Sequence, residues 1–149
     1  MDNIKVRYMK ENDIDSVLEI EKLSFSTPWS KKSFKMEIKG NKLSRYIVAI
    51  NNEEVVGYAG VWLIVDEGHV TNIAVHPKER KKGIGNILLE ALIDICKEKD
   101  MDRMTLEVRE NNIIAHELYK KYGFEDCGKR PGYYADTKED AIIMWKEIY

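Results

Sequence analysis

Hydrophobic and polar positions follow two different periods along the chain, and these periods separate predicted strands from predicted helices. Alternation with a period of two is typical of a strand with one buried face. It predicts strands at residues 4–8, 46–50, 55–65, 70–75, 104–108, 126–134 and 141–146. A period near 3.6 residues predicts helices between them, the longest over residues 83–99. The order β-α-α-β-β-β-α-β-α-β-β is typical of an α/β protein with a mixed sheet and helices on both faces.

Capping and breaking residues set the ends of the predicted helices. The first helix begins at Asn12 or Asp13, because a short polar side chain accepts hydrogen bonds from the first helical amides. Pro28 separates this helix from a second one, which Ser30 caps. Gly123 follows the last helix at the position where a left-handed glycine commonly stands.

The composition is that of an ordinary globular protein. The 149 residues are 44% hydrophobic and 34% charged, which predicts one domain over residues 1–149 with a packed core. The formal net charge is −2, so charge gives no indication of nucleic-acid binding. Cys96 and Cys127 lack the spacing of a metal site, and no signal peptide or membrane-spanning run is visible. We therefore expect a cytoplasmic location, reduced thiols, no metal, and no contact with membrane or nucleic acid.

The most informative stretch joins the fourth predicted strand to the longest helix. Pro77 ends the strand, because it lacks the amide hydrogen that a sheet ladder needs. A basic turn follows: Arg80, Lys81, Lys82, Gly83, Ile84 and Gly85. The first amides of a helix have no internal partner and carry partial positive charge, and glycine lets a ligand approach the backbone closely. The stretch predicts a phosphate site or, more simply, a strand-to-helix connection with solvated lysines.

The spacing of this turn selects one kind of phosphate site. It matches neither GxxxxGK(S/T) nor GxGxxG, which excludes the Walker-type and dinucleotide-binding motifs. It does match Arg/Gln-x-x-Gly-x-Gly/Ala, the pyrophosphate-binding motif of the GCN5-related N-acetyltransferase (GNAT) family. A second GNAT signature is similar to the last helix and its end, in the order Asn112, Ala115, Leu118, Tyr119, Gly123 and Phe124. From these two motifs the chain is identified as a member of that family.

Further segments narrow the resemblance within the family: Pro28, Trp29 and Ser30, residues 72–75 and 106–109, Arg130 with Tyr133 and Tyr134, and residues 139–144. In these segments the sequence resembles the RimI subfamily, which acetylates the N-terminal alanine of small-subunit ribosomal protein eighteen. The sequence departs from the subfamily at Pro131 and Gly132, an insertion before the tyrosine pair that bears on the shape of the substrate loop.

The resemblance implies a fold and a co-substrate. The fold is a central, mostly antiparallel seven-stranded sheet with about four helices on its two faces, and the co-substrate is acetyl-CoA. The residues expected to hold it are Ile73, Ala74, Val75, Arg80, Lys81, Lys82, Gly83, Ile84, Gly85, Asn86 and Asn112. The strands at 70–75 and 104–108 would splay apart and expose amides to the pantetheine arm. The Val75 amide would face the thioester oxygen as it gains negative charge.

Glu107 is the predicted general base. Strand alternation places Thr105, Glu107 and Arg109 on one face, and glutamate is disfavoured in the middle of a strand. A peptide α-amine has a pKa of about 8, so a carboxylate acting directly or through one water can deprotonate it near neutral pH. The match to the subfamily favours this role. The alternative is a structural glutamate, either exposed on an edge strand or paired with Arg109.

Tyr119 is the predicted general acid, because the family places a phenol at this position near the cofactor sulfur. Helical spacing puts it on one side with Ile114 and Leu118, so a core tyrosine is the alternative, and one phenol can fill both roles. Asn112 corresponds to a ligand of the pantetheine arm or its neighbouring phosphate, although simple capping also explains it. A covalent acetyl-cysteine route through Cys127 is disfavoured, because no activating base is identifiable.

The predicted acceptor is the N-terminal peptide of a ribosomal protein, acetylated by direct attack in a ternary complex. Its expected contacts are Trp29, Tyr133, Tyr134 and Asp140, with Asp140 or Glu139 available to a positively charged second residue. Trp29 fits equally well as a cover over the core. Other acceptors are a different protein N-terminus, a lysine, a polyamine or an aminoglycoside. An alternative of another class is a non-catalytic acetyl-CoA sensor or interaction module.

Overall fold

The computed structural model describes residues 3–25 and 28–148, and within them the chain forms seven strands and four α-helices, besides two short 3-10 turns. In chain order these are β1 (Lys5–Tyr8), α1 (Ile14–Ser24), α2 (Lys31–Gly40), β2 (Ser44–Asn51), β3 (Glu54–Ile64), β4 (Glu67–Val75), α3 (Ile84–Glu98), β5 (Arg103–Arg109), α4 (Ile113–Lys121), β6 (Glu125–Arg130) and β7 (Ala141–Glu147). This order confirms the predicted α/β class. Across the described residues, no helix is both long and apolar enough to cross a lipid bilayer.

The strands form one sheet in the order β1-β2-β3-β4-β5-β7-β6. β4 and β5 are parallel, and every other neighbouring pair is antiparallel. Leu88 of α3 belongs to one buried cluster and Phe34 of α2 to another. Val48 and Ala49, successive residues of β2, enter opposite clusters, and successive side chains of a strand point to opposite faces. The sheet therefore separates two cores, with α3 on one face and α1 and α2 on the other.

β4 and β5 part in the middle of the sheet, which confirms the predicted splay. Their parallel pairing ends at His69 with Thr105, although β4 continues to Val75 and β5 to Arg109. On its other side, β4 carries an extra residue, Thr71, at a register shift with β3. A bulge of this kind bends the strand that carries it. The two central strands therefore leave a gap between their carboxyl ends.

Of the caps predicted at the starts of the first two helices, one is wrong and one is confirmed. Asp13 stands before α1 but does not cap it. Its carboxylate accepts hydrogen bonds from the Arg7 guanidinium at 2.7 and 2.9 Å and from the Lys10 amide at 2.7 Å, so the tertiary ion pair replaces the cap. Ser30 caps α2 as predicted, since its hydroxyl accepts the Ser33 amide at 3.1 Å.

Two predictions near the carboxyl end are wrong in detail. The strand predicted over residues 126–134 ends at Arg130. Pro131 cannot donate to a ladder and Gly132 has a φ of 59°, so the chain leaves the sheet at this insertion. Tyr133 and Tyr134 consequently lie in a loop rather than a strand.

Ile114 was expected on the packed side of α4, but it is 83% exposed. The helix is therefore held chiefly by its second half.

Candidate active site

Backbone amides of β4 point into the gap between β4 and β5. The His76 amide donates to the Val56 carbonyl of β3 at 2.8 Å. Hydrogen-bonded and non-hydrogen-bonded pairs alternate along an antiparallel ladder, so Val75, one residue earlier, is turned away from β3 and towards the gap. Ile73 is turned the same way, whereas Ala74 faces β3 and its side chain packs under α1 and α2. Two of the three predicted strand residues thus present amides to the gap.

The basic turn leads from this gap into α3. Gly83 has a φ of 80°, and an added Cβ would meet no atom within 4 Å, so backbone conformation rather than crowding favours glycine. At Gly85 an added Cβ would lie 3.5 Å from Leu118, an ordinary contact that alanine would also make. The Ile87 amide donates to the Gly83 carbonyl at 3.2 Å. The amides before Ile87, including that of Ile84, therefore precede the helical ladder and can meet an anion.

The cations of the turn are tied to their surroundings. Arg80 Nε donates to the Val75 carbonyl at 3.1 Å, and its Nη2 donates to Ser24 Oγ at 3.4 Å. Lys82 Nζ lies 2.7 Å from a carboxylate oxygen of Glu79, while Lys81 contributes a positive φ of 68° to the turn. These contacts orient charge beside a helix N-terminus, where the helix dipole also favours an anion.

Two predicted cofactor ligands also have structural roles. Asn112 Oδ1 caps α4 by accepting the Ala115 amide at 3.2 Å. Asn86 Oδ1 accepts Lys121 Nζ at 3.0 Å and the Tyr122 hydroxyl at 3.2 Å, which ties α3 to α4. The capping alternative for Asn112 is thus confirmed, and a cap does not prevent the same side chain from meeting a ligand.

Glu107 lies on β5 opposite the core face that carries Leu106 and Val108. β5 lies between β4 and β7 in the sheet, although at Glu107 it is paired with β7 alone, because its pairing with β4 ends at Thr105. The exposed glutamate of the edge-strand alternative is wrong, since Glu107 is only partly exposed. Glu107 Oε2 is shielded from solvent and has no hydrogen-bond partner among the described residues, although Arg130 Nε lies 3.4 Å away. Arg130 forms an ion pair with this oxygen but donates no hydrogen bond to it, and a shielded acceptor that lacks a hydrogen bond costs free energy. This oxygen is therefore suited to a ligand that brings a proton donor.

The loop at residues 131–140 brings two tyrosines to this carboxylate. The rings of Tyr133 and Tyr134 meet edge to face with centroids 5.1 Å apart. Burial raises the pKa of Tyr133, and the Glu107 carboxylate raises it further. Burial also raises the pKa of Tyr134 to about 12, an effect that Arg109 opposes and Glu107 reinforces. The predicted tyrosine pair and the predicted base therefore share one region.

Tyr119 is a buried residue of α4, only 6% exposed, with its ring 6.0 Å from that of Phe124. Burial raises the pKa of its hydroxyl, and the neighbouring Tyr134 raises it further. The phenol is therefore protonated at neutral pH, as a proton donor must be. Tyr119 is therefore a core tyrosine, and its buried phenol can still serve as the proton donor.

Trp29 covers the core, as one of its two alternatives predicted. Its ring lies 5.2 Å from Phe34 and 6.3 Å from Tyr46. Its amide donates to the Glu21 carboxylate at 2.8 Å, and Glu21, 2% exposed, also accepts the Tyr58 hydroxyl. The buried position of Glu21 was not predicted from the sequence. The signal that could have indicated it is a glutamate that falls, by helical spacing, on the apolar stripe of α1. Ser26 and Thr27 of this loop lie outside the described residues.

The acidic residues expected to meet the substrate already have partners, one within the loop and the others at the end of β5 and just after it. Asp140 Oδ1 accepts the Gly132 amide at 2.9 Å. Glu139 accepts the Asn111 amide at 3.0 Å, and its other oxygen lies 3.4 Å from Arg109 Nη1. The pairing of Arg109 with Glu107, raised as an alternative, is therefore wrong. Arg109 binds the loop instead, because its guanidinium meets several acceptors there.

Known proteins have sequences similar to that of this chain. The Acetyltransferase (GNAT) family model matches residues 14–124. A Bacillus subtilis (strain 168) protein, named provisionally as a ribosomal protein bS18-alanine N-acetyltransferase, is 44% identical over 143 residues, 96% of this chain and 95% of that protein. The ribosomal protein bS18-alanine N-acetyltransferase of Escherichia coli (strain K12) is 34% identical over 140 residues, 91% of this chain and 92% of that protein.

A solved structure extends the likeness to the whole fold. The crystal structure of the ribosomal-protein-S18-alanine N-acetyltransferase from Escherichia coli is similar with a TM-score of 0.90 and 31% sequence identity, covering 98% of this chain and 94% of that chain. The family match includes the basic turn, the gap between β4 and β5, and Glu107. The chain therefore belongs to the Acetyltransferase (GNAT) family, whose members use acetyl-CoA.

Proposed function

We propose that this protein transfers the acetyl group of acetyl-CoA to the N-terminal α-amine of a protein, and that a ribosomal protein beginning with alanine is its substrate. The observation that carries the proposal is Glu107, whose shielded Oε2 has no hydrogen-bond partner among the described residues. Relatives at 44% and 34% identity whose names state this activity support the choice of acceptor. The proposal includes a cytoplasmic location.

Backbone and cations would hold the co-substrate. Arg80, Lys82 and the first amides of α3 would bind the pyrophosphate, because helix dipole and side-chain charge both favour an anion there. The amides of Ile73 and Val75 would bind the peptide-like pantetheine arm as a strand binds a sheet edge. The Val75 amide would donate to the thioester oxygen as it becomes negative during attack.

Side chains would supply the proton transfers. Glu107 accepts a proton from the α-ammonium group, directly or through one water, and the neutral nitrogen then attacks the thioester carbonyl. The new carbon–nitrogen bond forms as the carbon–sulfur bond breaks, and the nitrogen releases its second proton as it becomes an amide. Tyr119, kept protonated by burial, donates its proton to the departing thiolate and regains one, through solvent, from the proton that the nitrogen releases. Tyr133 and Tyr134 would contact the acceptor beside Glu107, and Trp29 would border it from the α1–α2 loop.

Mass spectrometry of acetylated peptides tests the assignment. The purified protein is incubated with acetyl-CoA and a ribosomal peptide that begins with alanine, beside matched peptides that begin with serine, methionine or threonine, a peptide with a blocked N-terminus and an internal lysine, and a polyamine. We expect acetylation at the α-amine of the alanine peptide first. Absence of that product would refute the ribosomal assignment, and acetyl-CoA binding without any product would favour a non-catalytic sensor.

A further inference from the structure

One side chain at the end of β5 binds much of the loop at residues 131–140. Arg109 Nη1 and Nη2 donate to the two carboxylate oxygens of Asp136 at 3.2 and 3.0 Å. Nη1 also donates to Thr137 Oγ1 at 3.2 Å and to Glu139 Oε1 at 3.4 Å. The guanidinium carbon lies 4.0 Å from the centre of the Tyr134 ring. A planar guanidinium combines paired hydrogen bonds with ring stacking, which a lysine cannot reproduce.

Hydrogen bonds within the loop extend the effect of these contacts. The Tyr134 amide donates to the Glu139 carbonyl at 3.2 Å, and the Lys138 amide donates to the Tyr134 carbonyl at 2.7 Å. The Gly132 amide donates to Asp140 Oδ1 at 2.9 Å. The loop is thus closed on itself at several points. Two backbone amides just after β5 hold the end of the loop: the Asn111 amide donates to Glu139 Oε2 at 3.0 Å and the Glu110 amide to the Asp140 carbonyl at 3.1 Å. Arg109 makes the side-chain contacts from β5 that reach Tyr134, Asp136 and Thr137.

Tyr134 connects the Arg109 guanidinium to the surroundings of the proposed base, Glu107, and the proposed acid, Tyr119. Its ring contacts both the Arg109 guanidinium and the Tyr133 ring, whose centroid is 5.1 Å away. Arg130 links Tyr133 to Glu107, because its guanidinium carbon lies 5.7 Å from the centre of the Tyr133 ring and its Nε lies 3.4 Å from Glu107 Oε2. Tyr134 also adds to the effect of burial, which raises the pKa of the Tyr119 phenol. A shift of Tyr134 would therefore disturb the surroundings of both the proposed base and the proposed acid.

We propose that Arg109 is a positioning residue, which holds the loop so that Tyr133 and Tyr134 close the acceptor side of the site over Glu107. The inference rests on the proposed function. Arg109 touches none of the reacting atoms, and its hydrogen bonds to the loop lie apart from the basic turn before α3. Loss of its guanidinium should therefore impair use of the acceptor peptide and leave acetyl-CoA binding unchanged.

Steady-state kinetics of matched variants test the inference. Arg109→Met removes the anchor, and Arg109→Lys keeps the charge without the paired geometry. The control is Arg103→Met, on the same strand and the same face, where Nε lies 3.1 Å from Glu147 at the other end of β5. We expect Arg109→Met to lower kcat/KM for the peptide by about tenfold to 10²-fold, as misplacement of contacting groups does. Arg109→Lys should restore little of this loss, and Arg103→Met should show none.

A second readout separates positioning from general stability. Hydrogen–deuterium exchange should rise in residues 131–140 of both Arg109 variants and stay unchanged there in Arg103→Met. Asp136→Asn should add little to Arg109→Met, because both substitutions remove the same contact. Unchanged exchange in the loop, or unchanged peptide kinetics despite faster exchange, would overturn the inference. A wild-type protein that acetylates no alanine peptide would instead overturn the proposed function, and it would do so before any variant is compared.

Discussion

The two sides of the candidate site are built by different means. The cofactor side consists mainly of backbone: amides of β4 that face the gap, the first amides of α3, and a left-handed turn at Gly83. The proposed proton-transfer and acceptor groups are side chains from separate elements, with Glu107 on β5, Tyr119 on α4 and Tyr133 in the loop after β6. A backbone site leaves a continuous motif in the sequence. A side-chain site leaves isolated residues whose partners are set by the tertiary fold.

Substitution of Glu107 should give the largest difference between loss of turnover and loss of acetyl-CoA binding. Glu107→Gln keeps the shape of the side chain and removes the base, so we expect kcat to fall about 10²-fold or more. The Kd for acetyl-CoA, measured by titration calorimetry, should remain near that of the wild type. Glu110→Gln is the control, since Glu110 is a nearby glutamate whose carboxylate instead binds Lys129 Nζ at 2.8 Å. A parallel loss of acetyl-CoA affinity in Glu107→Gln would contradict the division.

Tyr119→Phe should lower kcat by about 10²-fold with near-normal acetyl-CoA affinity, because the phenol is lost while its ring remains. Packing against Phe124 is kept, so thermal unfolding should change little. Tyr122→Phe, at the end of the same helix, removes a hydroxyl that lies 2.6 Å from Glu90 and should affect kcat far less. Because burial raises the pKa of Tyr119, its ionisation should not limit the wild-type rate below the ordinary pKa of tyrosine, about 10.

The same division explains how far the sequence could be interpreted. Periodicity predicted the order of strands and helices, and the turn motif predicted a glycine turn before the longest helix, because both depend on residues close together in the chain. Glu107 and Tyr119 could be selected only through the resemblance to a family. The contacts of Arg109 with Asp136 and of Glu21 with Tyr58 could not be predicted, since each joins residues distant in sequence. Which carboxylate an arginine meets is decided by the folded sheet.

The basic turn should affect acetyl-CoA rather than the acceptor. Arg80→Ala and Lys82→Ala should each raise the KM for acetyl-CoA by about tenfold, the equivalent of roughly 1.4 kcal/mol, with little change in kcat. Lys78→Ala, a nearby exposed lysine in the turn that begins at Pro77, is the control. Initial rates at saturating peptide and varied acetyl-CoA measure the effect. A rise confined to the KM of the peptide would show that the anion site lies elsewhere.

Substitution of Asn112 should have the smallest effect of these variants, and it tests whether the side chain stabilises α4, binds acetyl-CoA, or does both. Its side-chain oxygen caps α4 at 3.2 Å from the Ala115 amide, so Asn112→Ala should lower the free energy of unfolding by about 1 kcal/mol. Asn112→Ser keeps a capping oxygen but removes the amide, and its stability in urea should stay near that of the wild type.

The pair of variants decides whether the cap is the whole role of Asn112. If the side chain also binds the pantetheine arm or a phosphate, both variants should raise the KM for acetyl-CoA, although only the alanine variant loses stability. If capping is its whole role, Asn112→Ser should match the wild type in both measurements. In that case the cofactor side would consist of the β4 amides and the turn before α3, and the family resemblance at Asn112 would reflect helix geometry alone.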